Sequence, residues 1–323
     1  MNLSLNLIMW YWTLLWYIEL LCVIVAGWTI FCWLCTGYYY LRTILSTNSL
    51  KKYGKGSWAV VTGCTEGIGL GFARVLAKYN FNIVLISRNP QKLEKVREEI
   101  TRLHGVEAKV VVCDFSECTK EPLEFFQKID EEIRDLDVSI LINNVGYAGT
   151  GRFHTHHIHD ELLQMLSVNL WPCVYLTKMF LRRMMNRSLP SGIINLSSTA
   201  TLRPLPGFAI YGATRGFTNT FTLCTREEVR YTVRHEKLNE IDMMSLQPAW
   251  VYSNLTKEQD HNFSFITPEQ CAENALSALG KVPYTNGNWK HIIVAILFKN
   301  SPSFMINGQS LKNANYTQER RKT

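Results

Sequence analysis

The sequence predicts an α/β protein, a doubly wound parallel sheet carried behind one N-terminal transmembrane helix. Three observations lead there. The chain opens on a long uncharged run. Short apolar runs then alternate with helical stretches, the pattern of strands buried on both faces by crossover helices. A glycine-rich turn joins the first of those strands to the first of those helices.

The opening run comes first in the chain. Leu20 to Leu41 carries no charge for 22 residues, and roughly 20 apolar residues cross a bilayer. Trp10, Trp12 and Trp16 precede it and Tyr38, Tyr39 and Tyr40 close it, as an interfacial aromatic belt would. A cleaved signal peptide is the competing reading, but the basic n-region and small-residue cleavage site are missing and the apolar stretch is too long. Arg42, Lys51, Lys52 and Lys55 follow the run, whereas only Glu19 stands before it. The positive-inside rule therefore puts the remainder on the cytoplasmic side. Residues 1–50 are read as a membrane anchor, 51–300 as one globular domain and 301–323 as a polar, basic tail.

Within the domain, strands are expected at 58–62, 82–87, 109–113, 139–143, 192–197 and 241–246. The clearest helix is 91–104, with Leu93, Val96, Ile100 and Leu103 on one face, Pro90 at its start and Gly105 just past its end. The run "WKHIIVAILF" at 289–298 is too short to span a membrane and reads as a last strand or a membrane-dipping surface. No internal repeat or low-complexity linker interrupts the alternation.

Composition bounds the function. The 323 residues are 47% apolar and 19% charged, enough for a sizeable core, and the net charge is +7. No nucleic-acid motif appears and the charge forms no long basic run, so acidic ligands and a membrane surface are the expected partners. Nine cysteines, an odd number, read as reduced thiols facing the cytosol.

The chemistry concentrates at the ends of the expected strands. "VTGCTEGIG" (61–69) follows the first strand and opens a helix, with glycines at 63, 67 and 69. A tight turn, close backbone approach and a helix N-terminus aimed at a pyrophosphate make this a dinucleotide loop of Rossmann type. After the second strand an NAD site would place a carboxylate for the ribose hydroxyls. Here stands Arg88, in "ISRNP", and a guanidinium suits a 2′-phosphate, so NADP(H) is favoured. Asp114 ends the third strand, "NNVG" (143–146) ends the fourth, and Asn169 lies in a helical pattern. "INLSSTATLRPLPGFAIYGATR" (194–215) supplies a hydroxyl at Ser198, a phenol at Tyr211 and a cation at Arg215. "FHTHHIHDE" (153–161) gathers four histidines, but no carboxylate or cysteine spacing completes a ligand set, so no metal is expected. Cys64, inside the glycine loop, reads as a small packing residue.

In order and spacing, "TGCTEGIG", "NNVG", "SVNL", Ser198 and "YGAT" together resemble the short-chain dehydrogenase/reductase family over about residues 55–300. The anchor, "KYGKGSWAVVTG" and "NIVLISRNPQKL" resemble its membrane-bound branch of 17β-hydroxysteroid dehydrogenases and very-long-chain 3-oxoacyl-CoA reductases. The resemblance implies an NADP-dependent oxidoreductase in the endoplasmic reticulum membrane, with its domain in the cytosol, in steroid or fatty-acid-elongation metabolism. It implies a lipid-like carbonyl or alcohol as substrate, and leaves room for a homo-oligomer. It makes Tyr211 the general acid/base, gives Ser198 the substrate carbonyl and has Asn169 hold a relay water. Thr62, Gly63, Gly67, Ile68 and Gly69 would line the cofactor together with Tyr211 and with Arg215, which can donate to ribose hydroxyls. Arg88 would meet its 2′-phosphate, Asp114 the adenine, Asn143 the ribose side and Val251 the carboxamide. The basic ending "ERRKT" reads as a retrieval signal or as a chance basic end.

One position departs from the pattern. The family carries lysine four residues after the tyrosine, and this chain carries Arg215. A free phenol titrates near 10, so a neighbouring cation that favours the phenolate makes it a better acid/base at neutral pH. A spacing of four on a helix puts both side chains on one face. Arginine supplies the charge but gives up no proton readily, and its planar head is bulkier. A working reductase and a silent, membrane-anchored NADP-binding homologue with a regulatory or interaction role both follow from that substitution. Between Trp250 and Phe265, Trp250, Tyr252, Leu255, Phe263 and Phe265 suggest an apolar cover over the site.

Overall fold

The computed structural model describes residues 2–45, 50–149, 153, 159–253, 256, 263–302, 304, 308 and 310. It divides into two compact units, 1–45 and 46–323.

The first unit is one helix, α1 (Asn2–Ile44). Within Met9–Thr43 its most apolar 18-residue window has a mean hydropathy of 2.2 and none of it is buried. At about 1.5 Å per residue this is longer than the roughly 30 Å hydrocarbon core requires, so the helix is long and apolar enough to cross a membrane with its aromatic ends left at the interfaces. Thr13, Thr29 and Thr36 satisfy their hydroxyls on carbonyls of the preceding turn.

The second unit is a seven-stranded parallel sheet flanked by helices. Its elements are β1 (Trp58–Thr62), α2 (Gly67–Lys78), β2 (Asn82–Ser87), α3 (Pro90–His104), β3 (Ala108–Val112), α4 (Pro122–Ile133), β4 (Val138–Asn143), α5 (His159–Met184), β5 (Ser191–Leu196), α6 (Ala209–Glu236), β6 (Ile241–Leu246), α7 (Pro268–Ala278), β7 (Tyr284–Thr285) and α8 (Trp289–Asn300). The spatial order is β3-β2-β1-β4-β5-β6-β7, every pairing parallel. β4, β5 and β6 are buried along their whole length, which is why they read as unbroken apolar runs rather than alternating ones. The chain reverses direction of growth between β1 and β4, and ligands of such sheets bind at that switch point, beyond the carboxyl ends of the strands.

The core on one face joins Val60, Ile86 and Leu141 of the sheet to Phe126, Ile129, Leu176 and Phe180 of α4 and α5. On the other face α2 packs on α7, so closely that a Cβ on Gly71 would lie 2.5 Å from the Pro268 backbone. The domain's first residues are tied in by a knot: Tyr53 donates to Asp242 at 2.7 Å and Lys52 pairs with the same carboxylate at 2.6 Å. α3 begins with Pro90, its Asn89 cap accepts from the Lys92 amide, and it ends on Gly105 in the left-handed conformation (φ 67°).

The segment 289–298 is not a strand. Its β-branched run Ile292–Ile293–Val294 suggested one, but Asn288 caps a helix there by accepting from the Lys290 amide. The last strand is the two-residue β7, just upstream.

Candidate active site

A cleft of about 460 Å³ lies over the carboxyl ends of the strands. The glycine loop forms one end. Gly63 has φ 63°, and a Cβ on it would lie 3.0 Å from the Val145 Cα; a Cβ on Gly69 would collide with the Gly63 carbonyl and the Asn144 amide. Only glycine at both positions lets β1, α2 and the end of β4 approach one another this closely. α2 starts at Gly67 with no side-chain cap, so its first amides point at the cleft without intrahelical partners. That is a ready site for a pyrophosphate.

Arg88 is exposed, lines the cleft, and makes no ion pair among the described residues. Beside it Thr65 and Ser87 face each other at 3.3 Å, and Lys92 reaches Glu66 at 3.3 Å. Asp114 also lines the cleft while its carboxylate accepts from the Ser116 amide at 3.0 Å, starting a short 3-10 turn. Cys64 is fully buried, and burial pushes its thiol up to about 12. It packs, and is no nucleophile at neutral pH.

The other end of the cleft holds Ser198, Tyr211 and Arg215. Ser198 caps a 3-10 turn: its Oγ accepts from the Ala200 amide at 3.1 Å, which fixes the oxygen and leaves the hydroxyl proton to donate. Tyr211 sits in the first turn of α6, and among the described residues its hydroxyl has no hydrogen-bond partner. Arg215, one turn on, is 5% exposed; its guanidinium carbon is 5.4 Å from the centre of the Tyr211 ring. Its Nη1 donates to the Leu196 carbonyl at 2.8 Å, and its buried Nε has no partner. The guanidinium packs onto the Gly146 Cα so tightly that any Cβ at 146 would collide with Nη2. Arg215 also acts on Cys173, whose thiol burial raises to about 12 against the pull of that charge.

Four expected site residues lie behind the cleft wall. Thr62 is fully buried and its Oγ1 accepts from the amides of Asn144 and Val145 at 3.0 Å each. Asn143 points into the sheet, donating to Asn195 Oδ1 at 2.8 Å and Thr177 Oγ1 at 3.1 Å; it is its neighbour Asn144 that reaches the cleft. Asn169 clamps the Tyr147 backbone at both its amide and its carbonyl, and donates to Thr214 Oγ1 at 3.0 Å. Gly69 stands behind Gly63 as described. Gly63, Gly67, Ile68 and Val251 line the cleft. Sequence reasoning missed Asn144, Ser87 and Gly146. The first was legible in principle, since "NNVG" places the second asparagine just past the strand, where it is free of the sheet interior.

The chain's residues fit a nicotinamide dinucleotide. The uncapped amides of α2 suit its pyrophosphate, the glycine cradle would be filled by any Cβ, and the orphaned Nε of Arg215 offers a donor deep in the cleft. Among the described residues no three His, Cys, Asp or Glu side chains could hold a metal ion; His154, His156 and His157, like Leu255 of the expected apolar cover and the "ERRKT" ending, lie outside the described residues. Of that cover, Trp250 stacks on Phe265 at 6.1 Å and Tyr252 lies 5.2 Å from the same ring.

The sequence profile of the short chain dehydrogenase family matches residues 57–263. The chain is 32% identical to the very-long-chain 3-oxoacyl-CoA reductase of Anas platyrhynchos over 253 residues, covering 77% of each. It is 31% identical to the inactive hydroxysteroid dehydrogenase-like protein 1 of Homo sapiens over 261 residues, 79% of this chain and 75% of that protein. Among solved structures, one from work on 7beta-hydroxysteroid dehydrogenase stereoselectivity superposes with a TM-score of 0.68 at 21% identity, covering 83% of this chain and all of that one. A short-chain dehydrogenase from Sphingobium yanoikuyae in complex with NADPH gives 0.59 at 19%, covering 69% and 83%.

Proposed function

The chain belongs to the short-chain dehydrogenase family, and on that premise we propose that it is an NADPH-dependent reductase of a lipid-like carbonyl, or dehydrogenase of the matching alcohol, held to a membrane by α1. One observation carries this reading: Ser198, Tyr211 and Arg215 share one end of a cleft whose other end offers uncapped helix amides and the unpaired Arg88.

The nicotinamide supplies the hydride. Tyr211 gives a proton to the carbonyl oxygen that develops charge, and Ser198 donates its hydroxyl to the same oxygen. Arg215 holds positive charge beside the phenol. Arg88 selects the 2′-phosphate, since a guanidinium binds phosphate through paired, charge-assisted hydrogen bonds. Asn169 spends its side-chain donors on Tyr147 and Thr214, so any relay water would meet its remaining lone pair or its backbone. The lipid-like substrate rests on the apolar stack of Trp250, Tyr252 and Phe265 and on a relative named as an acyl-CoA reductase. The domain from about residue 51 to about 300 faces the cytosol from the endoplasmic reticulum membrane, because Arg42, Lys51, Lys52 and Lys55 follow the span.

A second reading has its own support. Arg215 commits a nitrogen to Leu196 where the family has a lysine, and one relative is named inactive. The chain would then bind NADPH without turnover. Following NADPH absorbance in the purified full-length protein with steroid and 3-oxoacyl-CoA substrates decides between them. Consumption supports the reductase; binding without consumption supports the second reading; no binding overturns both.

A further inference from the structure

His291 is fully buried in the first turn of α8, far along the chain from the residues above, yet its ring meets the backbone of Ala249, which lines the cleft. The Ala249 amide donates to its Nδ1 at 3.2 Å. Nδ1 also lies 3.1 Å from the Asn286 carbonyl; with the proton on Nε2 the ring accepts from the Ala249 amide, and with the proton on Nδ1 it donates to Asn286. Nε2 lies 3.1 Å from both the Trp250 carbonyl and the Ser264 carbonyl and can donate to either. The Nε2-protonated ring takes one hydrogen bond from Ala249 and gives one to Trp250 or Ser264, and so touches both the segment that follows β6 and the piece of chain that returns at 263–266.

That segment matters to the site. Pro248, Ala249 and Val251 line the cleft. Val251 bridges to Ile266, and the Tyr252 amide donates to the Ile266 carbonyl at 3.1 Å. Neither piece is held by a regular element of its own, and a loop buried at a cleft must still satisfy its backbone groups. A buried imidazole with a donor and an acceptor about 2 Å apart does so for both pieces at once.

We propose that His291 is a positioning residue, which joins the 248–251 wall of the cleft to the 263–266 segment and so sets the geometry at the substrate end. The proposal rests on the reductase reading only for its kinetic part. It touches no reacting atom and acts through Ala249 and Trp250.

The test uses the full-length protein in nanodiscs and three variants. His291→Asn keeps an acceptor near Nδ1, His291→Gln keeps a donor near Nε2, and His291→Leu keeps neither. Backbone hydrogen exchange is followed in peptides covering 247–266 and, as a control, 58–70. The expected result is exchange at least about tenfold faster in 247–266 for the leucine variant, with the glycine-loop peptide unchanged and partial rescue by asparagine or glutamine. If turnover is observed, KM for the carbonyl substrate rises more than kcat falls. Unchanged exchange in 247–266 overturns the proposal. So does faster exchange in both peptides alike, which would make His291 a mere core residue. Exchange is read whether or not the protein turns over, so failure of the reductase reading leaves this test decisive.

Discussion

The two ends of the cleft are built on different principles. At the glycine-loop end the binding groups are backbone amides and the space beside glycines, with one side chain, Arg88, left unpaired. At the tyrosine end the groups are side chains, two of them already committed: Ser198 to the Ala200 amide, and Arg215 to the Leu196 carbonyl and the face of Gly146, while the Tyr211 hydroxyl has no partner among the described residues. The first end tolerates sequence change as long as the glycines stay. The second depends on the identity and size of every side chain. In the proposed reading binding and turnover are largely separable, with Arg215 bearing on both through its charge and its unpartnered Nε.

The largest expected effect tests that separation directly. Tyr211→Phe removes the proton donor and leaves the amides and Arg88 in place. A positioned acid/base contributes about 10²–10⁴-fold, so turnover should fall by at least about a hundredfold while the NADPH dissociation constant, read by fluorescence, changes little. Equal losses in both would show that the two ends are one unit. The opposite cut is Arg88→Ala. A charged hydrogen-bonded contact is worth about 1.5–3 kcal/mol, so the preference for NADPH over NADH should drop by about ten- to a hundredfold, with NADH binding unaffected. An unchanged ratio would remove Arg88 from the 2′-phosphate.

The same division explains what the sequence disclosed. The sheet was legible because its strands are buried on both faces and show as apolar runs; β1, β2 and β6 have the expected ends, β3 and β5 lie one residue earlier, and β4 starts one residue earlier and ends as expected. The glycine loop was legible because backbone chemistry leaves a spacing in the sequence. The run at 289–298 was not, since β-branched composition does not separate a strand from a buried helix turn, and the cap at Asn288 was the deciding signal. Side-chain direction was the least legible. The expected strand end at 143 could have told Asn144 from Asn143, but nothing in "NNVG" names Asn195 and Thr177 as the partners of Asn143. Nor does any local pattern connect His291 to Ala249, 42 residues away.

A smaller effect probes how far the tyrosine end has adapted to arginine. Gly146→Ala puts a Cβ into Nη2 of Arg215, and the guanidinium must move. Turnover should fall about tenfold with NADPH affinity held within a factor of a few. Arg215→Lys alone should raise turnover or shift its pH optimum by up to about tenfold, roughly 1.4 kcal/mol, because an ammonium can pass a proton. Placed together, the two substitutions should show a favourable coupling of about 0.5–3 kcal/mol, since the shorter side chain vacates the space the alanine needs. Strict additivity would show that Arg215 already sits clear of Gly146 in solution.

The smallest expected effect lies outside both ends, at His291. Burial lowers the proton affinity of its ring against the pull of the Asn286, Trp250 and Ser264 carbonyls, and Lys290 adds to the lowering. The groups that face it from other elements are those carbonyls and the Ala249 amide; Lys290 is the charged neighbour. The sign follows from proton counts. Below the unfolded value near 6.5 the unfolded chain binds a proton that the folded ring resists, so stability is held above that pH and is lost as pH falls from about 6.5 through the folded value. One such site changes stability by at most about 1.4 kcal/mol per pH unit. Other histidines titrate too, so the measurement is a difference: denaturant midpoints of wild type and His291→Asn at pH 7.5, 6.5 and 5.5. The wild type should lose more over that range than the variant. Parallel slopes would mean that the ring takes its proton as readily in the fold as in water, and that the cage of carbonyls, rather than burial, decides its charge.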